Sequence, residues 1–476
     1  MNAFSRTLIW LGPLLFVSCW TDALANDVRN DELATLPSNC VEKTVAVTED
    51  GKHYACVAGS RGSQKIVSDG VEGPTFQGVS LPRFSPAGQL FYWALDGQKI
   101  ILSAGGQNIV TSLSAEGRLV FSKDGARWAA FGAERTQQSG EAIKRGTNVV
   151  YVDGAEIGKY ADLSVPQFSQ DGKHFAFLTL DNGGKMGLVI DGVQTATYEA
   201  PKVKVSMYVN VFVNGPSLFL YTKVLFFING RVVALVLDEN GWTVIENGKP
   251  VASYLQDVAG GGGYQVMAFR GFEDASSIQG RSLVSADAAP VSAWWEKAAG
   301  KSAPWHVVVD GKPADSFSSP LFWAAEPPVL SRDGKHVAYS TSFSGADGKN
   351  PEVYAIVDGT KFGPYTNVWG IRLSDDGKHV AYAASDGSDK DAWAYYLDGK
   401  QLPLRYSSVY RPVFSTDAAH VSWVATRENS EVLGIDGQEV GTTEQVLVGP
   451  VFHEAGVVYW ISREGKILVK ITAATK

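Results

Sequence analysis

Cysteine is scarce: three residues in 476, too few for the disulfide framework of a small secreted domain. Charge is scarce as well, at 19% of residues, and its balance of −8 disfavours a duplex nucleic-acid binder, which needs a basic face for phosphates. No long amphipathic run of helical period occurs, so α-helical content is expected to be small. There is no Gly-x-Ser-x-Gly elbow, which nearly excludes a serine hydrolase domain. The glycine run at 260–263 lacks the lysine of a phosphate loop and reads as a strand connection. No catalytic residue, metal ligand set or cofactor is assigned from the sequence. Glycine, by contrast, is plentiful at 50 residues, a skew expected of many short strands joined by tight turns.

Residues 1–25 read as a signal peptide. Arg6 precedes an apolar run over 8–20, and Ala23-Leu24-Ala25 supplies the small-x-small pattern a signal peptidase accepts. Gly12 and Pro13 interrupt the run, which is shorter than the ~20 residues of a bilayer span. The mature chain is thus expected to begin near Asn26, without a transmembrane span, and to be secreted, most simply to a bacterial periplasm. Phe16-Val17-Ser18-Cys19 offers the alternative of a lipid anchor at Cys19. With Cys19 removed, Cys40 and Cys56 remain as a disulfide pair for an oxidising compartment; two free thiols are the other reading.

One motif recurs along the chain. Its clearest copies are Phe168-Ser-Gln-Asp-Gly-Lys-His-Phe-Ala-Phe177, Leu330-Ser-Arg-Asp-Gly-Lys-His-Val-Ala-Tyr339 and Leu373-Ser-Asp-Asp-Gly-Lys-His-Val-Ala-Tyr382. Weaker copies start at Val47, Phe84, Phe121, Phe414 and Phe452. The spacing is roughly 40 residues, and the one gap, from Phe168 to Leu330, is about four such periods. A second motif follows the first at a similar offset, in Tyr151-Val-Asp-Gly154, Val189-Ile-Asp-Gly192, Val309-Asp-Gly311, Ile356-Val-Asp-Gly359, Tyr396-Leu-Asp-Gly399 and Gly434-Ile-Asp-Gly437. Asp-Gly between apolar runs predicts a type I′ hairpin turn, because glycine takes positive φ without penalty. Four strands per period predict an all-β chain folded as a β-propeller over residues 47–476. Blade number is left at 7–10 units, in one large ring or two. Residues 26–46 form an N-terminal segment, 205–330 is the divergent region, and 271–304 reads as an insertion loop.

These motifs resemble those of the TolB-type, WD-repeat-like propeller family, whose repeats read Phe-Ser-Pro-Asp-Gly-Lys before a small-aromatic strand. The resemblance covers about residues 44–460 and implies the fold. Only Ser85-Pro86 keeps the family's proline, and the short N-terminal segment does not accommodate TolB's α/β domain, so TolB's role does not transfer.

Five histidines, His53, His174, His336, His379 and His420, occupy one place in the first motif. A turn-adjacent, partly solvated structural role is expected of them, against a metal-binding ring as the sharper reading. Asp386, Asp389 and Asp391 read as a hydrophilic turn sooner than a calcium loop. Trp294, Trp295 and Trp305 form an aromatic group around the insertion, able to contact a ligand or to tuck against the blade. The function expected is a secreted, non-enzymatic propeller that presents loops to an envelope or extracellular protein, peptide or glycan. The alternative is a propeller hydrolase or lyase with a site assembled from several blades at the central opening.

Overall fold

A computed structural model describes residues 28–134, 147–199 and 329–475 apart from a few short turns, together with the strands of 225–255 and 293–317. Among the described residues the chain is almost entirely strand, with a single 3-10 turn at Glu42–Thr44. Among the described residues, ten antiparallel sheets follow one another along the sequence. We number them as blades: blade 1 at 46–72, blade 2 at 78–111, blade 3 at 118–160, blade 4 at 162–199 and blade 5 at 225–255. Blade 6 spans 293–317, blade 7 329–365, blade 8 367–406, blade 9 408–443 and blade 10 445–474. The protein is a β-propeller built from short antiparallel meanders, most of them four-stranded.

Blades 2 and 8 each bury both faces, which is why their strands do not alternate polar with apolar. In the strand Leu90–Asp96, Phe91 and Trp93 enter the core shared with blade 3, while Tyr92 and Ala94 enter the core shared with blade 1. The strand Val380–Ser385 divides likewise: Tyr382 and Ala384 face blade 7, and Ala381 and Ala383 face blade 9. Fully burying a large apolar side chain contributes about 1.5–3 kcal/mol, so no blade reaches stability without its neighbours.

First strands of neighbouring blades approach one another. Ala46–Val47 lies against Arg83–Phe84 and against Gln445–His453, and Asn367–Leu373 lies between Val329–Leu330 and Val413–Phe414. The first strands therefore surround the axis. The described motif turns join first to second and third to fourth strands, as Asp376-Gly377 and Asp398-Gly399 do in blade 8, and lie at one end of the blades; the turns between second and third strands, such as Asp96-Gly97, and the connections that enter the first strands lie at the other.

The ring is closed by the N-terminal segment. Gln445–His453, Val457–Glu464 and Ile467–Ala474 make only three strands, and the fourth is Val28–Thr35, antiparallel to Ile467–Ala474 from Val28↔Ala473 to Thr35↔Ile467. Residues 26–46, expected as a segment separate from the repeats, thus belong in part to the last blade. A final sheet one strand short leaves an unpaired edge, and this strand covers it.

The expected insertion over 271–304 is corrected at its end. Ala293–Lys297 is a strand of blade 6, paired with Trp305–Val309 so that Trp294 faces Val308 and Lys297 faces Trp305 in register. Trp294, Trp295 and Trp305 therefore sit on strands and not in a loop; their side chains, like residues 256–292, lie outside the described residues. So do the signal segment with Cys19, the glycine run at 260–263, Asp389 and Asp391.

Candidate functional site

The turn end of the ring explains the repeated residues. In the first motif the Ser169 hydroxyl donates to Asp171 Oδ1 at 2.6 Å, and His174 N–H returns to Ser169 Oγ at 2.9 Å. The same pair of bonds recurs at Ser374, Asp376 and His379. In the second motif Asp191, Asp358, Asp398 and Asp436 hold φ near +48° ahead of a glycine at positive φ, the type I′ geometry. Each motif histidine then joins the two turns of its own blade. Nδ1–H donates to the aspartate Oδ2 at 2.8 Å for His53–Asp69, 2.6 Å for His174–Asp191 and 2.7 Å for His336–Asp358. His379–Asp398 and His420–Asp436 follow at 2.8 and 2.7 Å. The carboxylate only accepts, which fixes the proton on Nδ1. The other oxygen of each aspartate accepts the next backbone N–H, as Asp398 Oδ1 does from Val380 at 2.9 Å. In blade 3 Arg127 replaces histidine: it binds Asp153 at 2.8 Å and reaches Lys173 O of blade 4 at 2.6 Å.

Hydrogen bonding also sets the acidity of the first-motif aspartates. Donation by Ser122, Ser169, Ser374 and Ser415 holds Asp124, Asp171, Asp376 and Asp417 below the usual carboxylate range. For Asp50 the leading cause is Lys52, ahead of Thr48. Asp386 pairs with Arg405.

At the opposite end, the connections into blades 8 and 9 differ from those into blades 2 and 4. Four residues before the motif's Phe or Leu, blades 2 and 4 carry Ser80 and Ser164, whose hydroxyls accept from Trp93 N–H and Leu178 N–H of the same blade at 2.9 Å. Blades 8 and 9 carry Trp369 and Tyr410 at that position. Trp369 lies at a bulge, between the pairs Trp369↔Ala383 and Arg372↔Ala381. Gly370, at φ +70°, forms the bulge, and a Cβ there would stand 3.3 Å from Arg411 Cα and from Pro412. The missing side chain lets the Arg411-Pro412 connection settle on blade 8, where the guanidinium lies 5.2 Å from the Trp369 ring centre, within cation–π range.

Tyr410 is held from both sides. Its N–H donates to Val424 O at 3.0 Å, and the buried Tyr395 hydroxyl lies 2.7 Å from both Tyr410 O and Val424 O. Burial pushes the Tyr395 phenol well up. The Tyr410 hydroxyl donates to Glu431 Oε1 at 2.8 Å, and the other Glu431 oxygen accepts Val446 N–H of blade 10. Burial, with Glu431 second, raises the Tyr410 phenol. Tyr410 nonetheless stays 49% exposed as a residue, and Leu81 of blade 2, at the position next to Ser80, is 60% exposed.

The aromatic pair was not singled out in the sequence. Aligning all repeats on the position four residues before the motif's Phe or Leu is the signal that finds it, because two adjacent blades carry rings where two others carry serine. Among the described residues no group of histidine, cysteine, aspartate and glutamate is arranged to hold a metal ion.

No family model matches the chain, and no curated protein matches it. Among solved structures it is similar to the Dos1 propeller, at 12% identity and TM-score 0.37, covering 76% of this chain and 93% of that one. It is also similar to the β-propeller domain of the trilobed protease from Pyrococcus furiosus, at 11% identity and TM-score 0.30, covering 76% and 96%. A prolyl endopeptidase matches at 13% identity and TM-score 0.33, covering 75% of this chain and 55% of its own.

Proposed function

We propose that the protein is a non-enzymatic binding module, exported to the cell envelope, that presents the connection end of blades 8 and 9 to a protein, peptide or glycan. The observation that carries this reading is the juxtaposition of Trp369, Tyr410 and Arg411, the residue types that dominate binding hot spots, on a connection anchored by Tyr395 and Glu431. Rigid anchoring lowers the entropy lost when a partner docks. The TolB-type repeat pattern and the signal-like residues 1–25 support placement in an envelope, as does the proximity of Cys40 and Cys56.

The enzyme alternative asks for a histidine–carboxylate or carboxylate pair at the central opening. Histidine–aspartate pairs do occur, but at the turns of five blades alike, each tying two turns of one blade, which gives them a structural task. The test is binding of the purified chain to fractionated envelope protein and envelope glycan. A Trp369→Ala, Tyr410→Ala double variant is compared with the wild type and with Leu81→Ala. Loss of about tenfold or more in affinity in the double variant alone supports the reading. Equal binding by all three chains, or none by the wild type, overturns it.

A further inference from the structure

The seam between blades 10 and 1 carries an inference independent of that site. Past Thr35, Leu36 N–H donates to Lys466 O at 2.7 Å, Val41 N–H donates to Val57 O at 2.9 Å, and Val57 N–H donates to Thr44 Oγ1 at 2.9 Å. Arg463 of blade 10 reaches Glu42 at 3.4 Å, and the Tyr459 hydroxyl donates to Glu49 O at 3.1 Å. At the centre Cys40 is joined to Cys56 in the second strand of blade 1, with Cα atoms 5.8 Å apart. Leu36, Ala58, Val67 and Leu468 bury the pair.

We propose that the Cys40–Cys56 bond is a lock on ring closure. With the bond formed, the closing strand Val28–Thr35 hangs on a short lead that ends at Cys40. Without it the lead runs back to the strand Ala46–Val47, and the closing strand and its cover over Leu468 separate from the ring together. Separation bares the hydrogen-bonding edge of Ile467–Ala474, an open strand edge in the last blade. Reduction breaks the Sγ–Sγ bond with two electrons and two protons from a dithiol, which leaves as its cyclic disulfide. On this inference, thiol–disulfide exchange with an oxidised dithiol donor, which takes up the two electrons and two protons and leaves as its dithiol, is the step that completes the ring.

The test compares hydrogen exchange in the purified oxidised chain, after thiol counting by alkylation, with a Cys40→Ser, Cys56→Ser double variant. Amides of 28–36 and 467–474 are expected to exchange about tenfold faster or more in the variant, with those of blades 3, 4 and 8 unchanged. Free thiols at Cys40 and Cys56 in the oxidised chain would overturn the proposal. So would unchanged exchange at the seam, acceleration spread equally over all blades, or a variant that fails to fold, each of which denies a local lock.

Discussion

Gly377 of blade 8 lies directly beneath the imidazole of His336 in blade 7: a Cβ on Gly377 would stand 2.2 Å from His336 Cδ2. The contact shows what the repeated Gly and His do together. His336 is tied to Asp358 within its own blade, and its ring edge covers the turn of the next. Gly125 sits against Pro86 and Ala87 in the same sense, and Gly172 against Asp124, so in blades 3, 4 and 8 the first-motif turn rests on the one before it.

Gly377→Ala is expected to destabilise the fold by about 1–3 kcal/mol, since φ is +72° and the space is filled. Gly441→Ala, where nothing stands within 4 Å, serves as the neutral comparison. Adding His336→Ala to Gly377→Ala relieves the contact but not the backbone strain, so the double variant should lose less than the two single losses combined. Urea midpoints of the wild type, the three single variants and the double variant measure this; strict additivity would sink the stacking argument.

Acid should loosen the turn end. The folded-state acidity constants of Asp124, Asp171, Asp376 and Asp417 lie below their unfolded values of about 3.9. Their contribution is complete above about pH 4 and is lost as pH falls below it. Ser374→Ala removes the leading cause at Asp376, so its urea midpoint should fall less steeply with acid than the wild type's. Parallel slopes between pH about 2.5 and 5 would contradict this.

The tie between turns is testable at Asp398, which accepts from His379 Nδ1 and Val380 N–H at φ +49°. His379→Ala should cost about 1 kcal/mol and Asp398→Ala more, because it loses two bonds and a residue suited to positive φ. Asp398→Asn, which keeps an acceptor and tolerates that conformation, should recover part of the loss. Thermal denaturation gives the order; an alanine variant as stable as Asp398→Asn would be the contrary result.

Trp423 fills the core between blades 8 and 9 and is 1% exposed, with Gly434 so close that a Cβ there would lie 2.2 Å from its ring. Trp423→Ala is expected to cost about 3–5 kcal/mol in calorimetry or urea unfolding. A loss under about 1 kcal/mol would mean the blade interface repacks freely.

Much of the fold was legible because the repeat writes its turns in residue types that few conformations accept. Asp398-Gly399 and Gly377 announce themselves through positive φ, and His379 through its fixed place after the turn. The closing strand Val28–Thr35 was not legible: its sequence, rich in polar residues, is an outer strand whose partner lies at the far end of the chain, a pairing no local pattern encodes. Trp369 and Tyr410 were hidden for another reason. A strand-entry aromatic looks like core until its exposure is known, whereas Trp294 and Trp295 stood out only by adjacency in the sequence.

The geometry of the seam also sets how the molecule yields to mechanical load. Val28 and Ala473 face each other at one end of the closing pair of strands, so tension applied to the chain there pulls across the hydrogen bonds from that end inward. The pair unzips one rung at a time and does not resist in shear, making the junction of the last blade the weak point under tension until the force reaches Cys40.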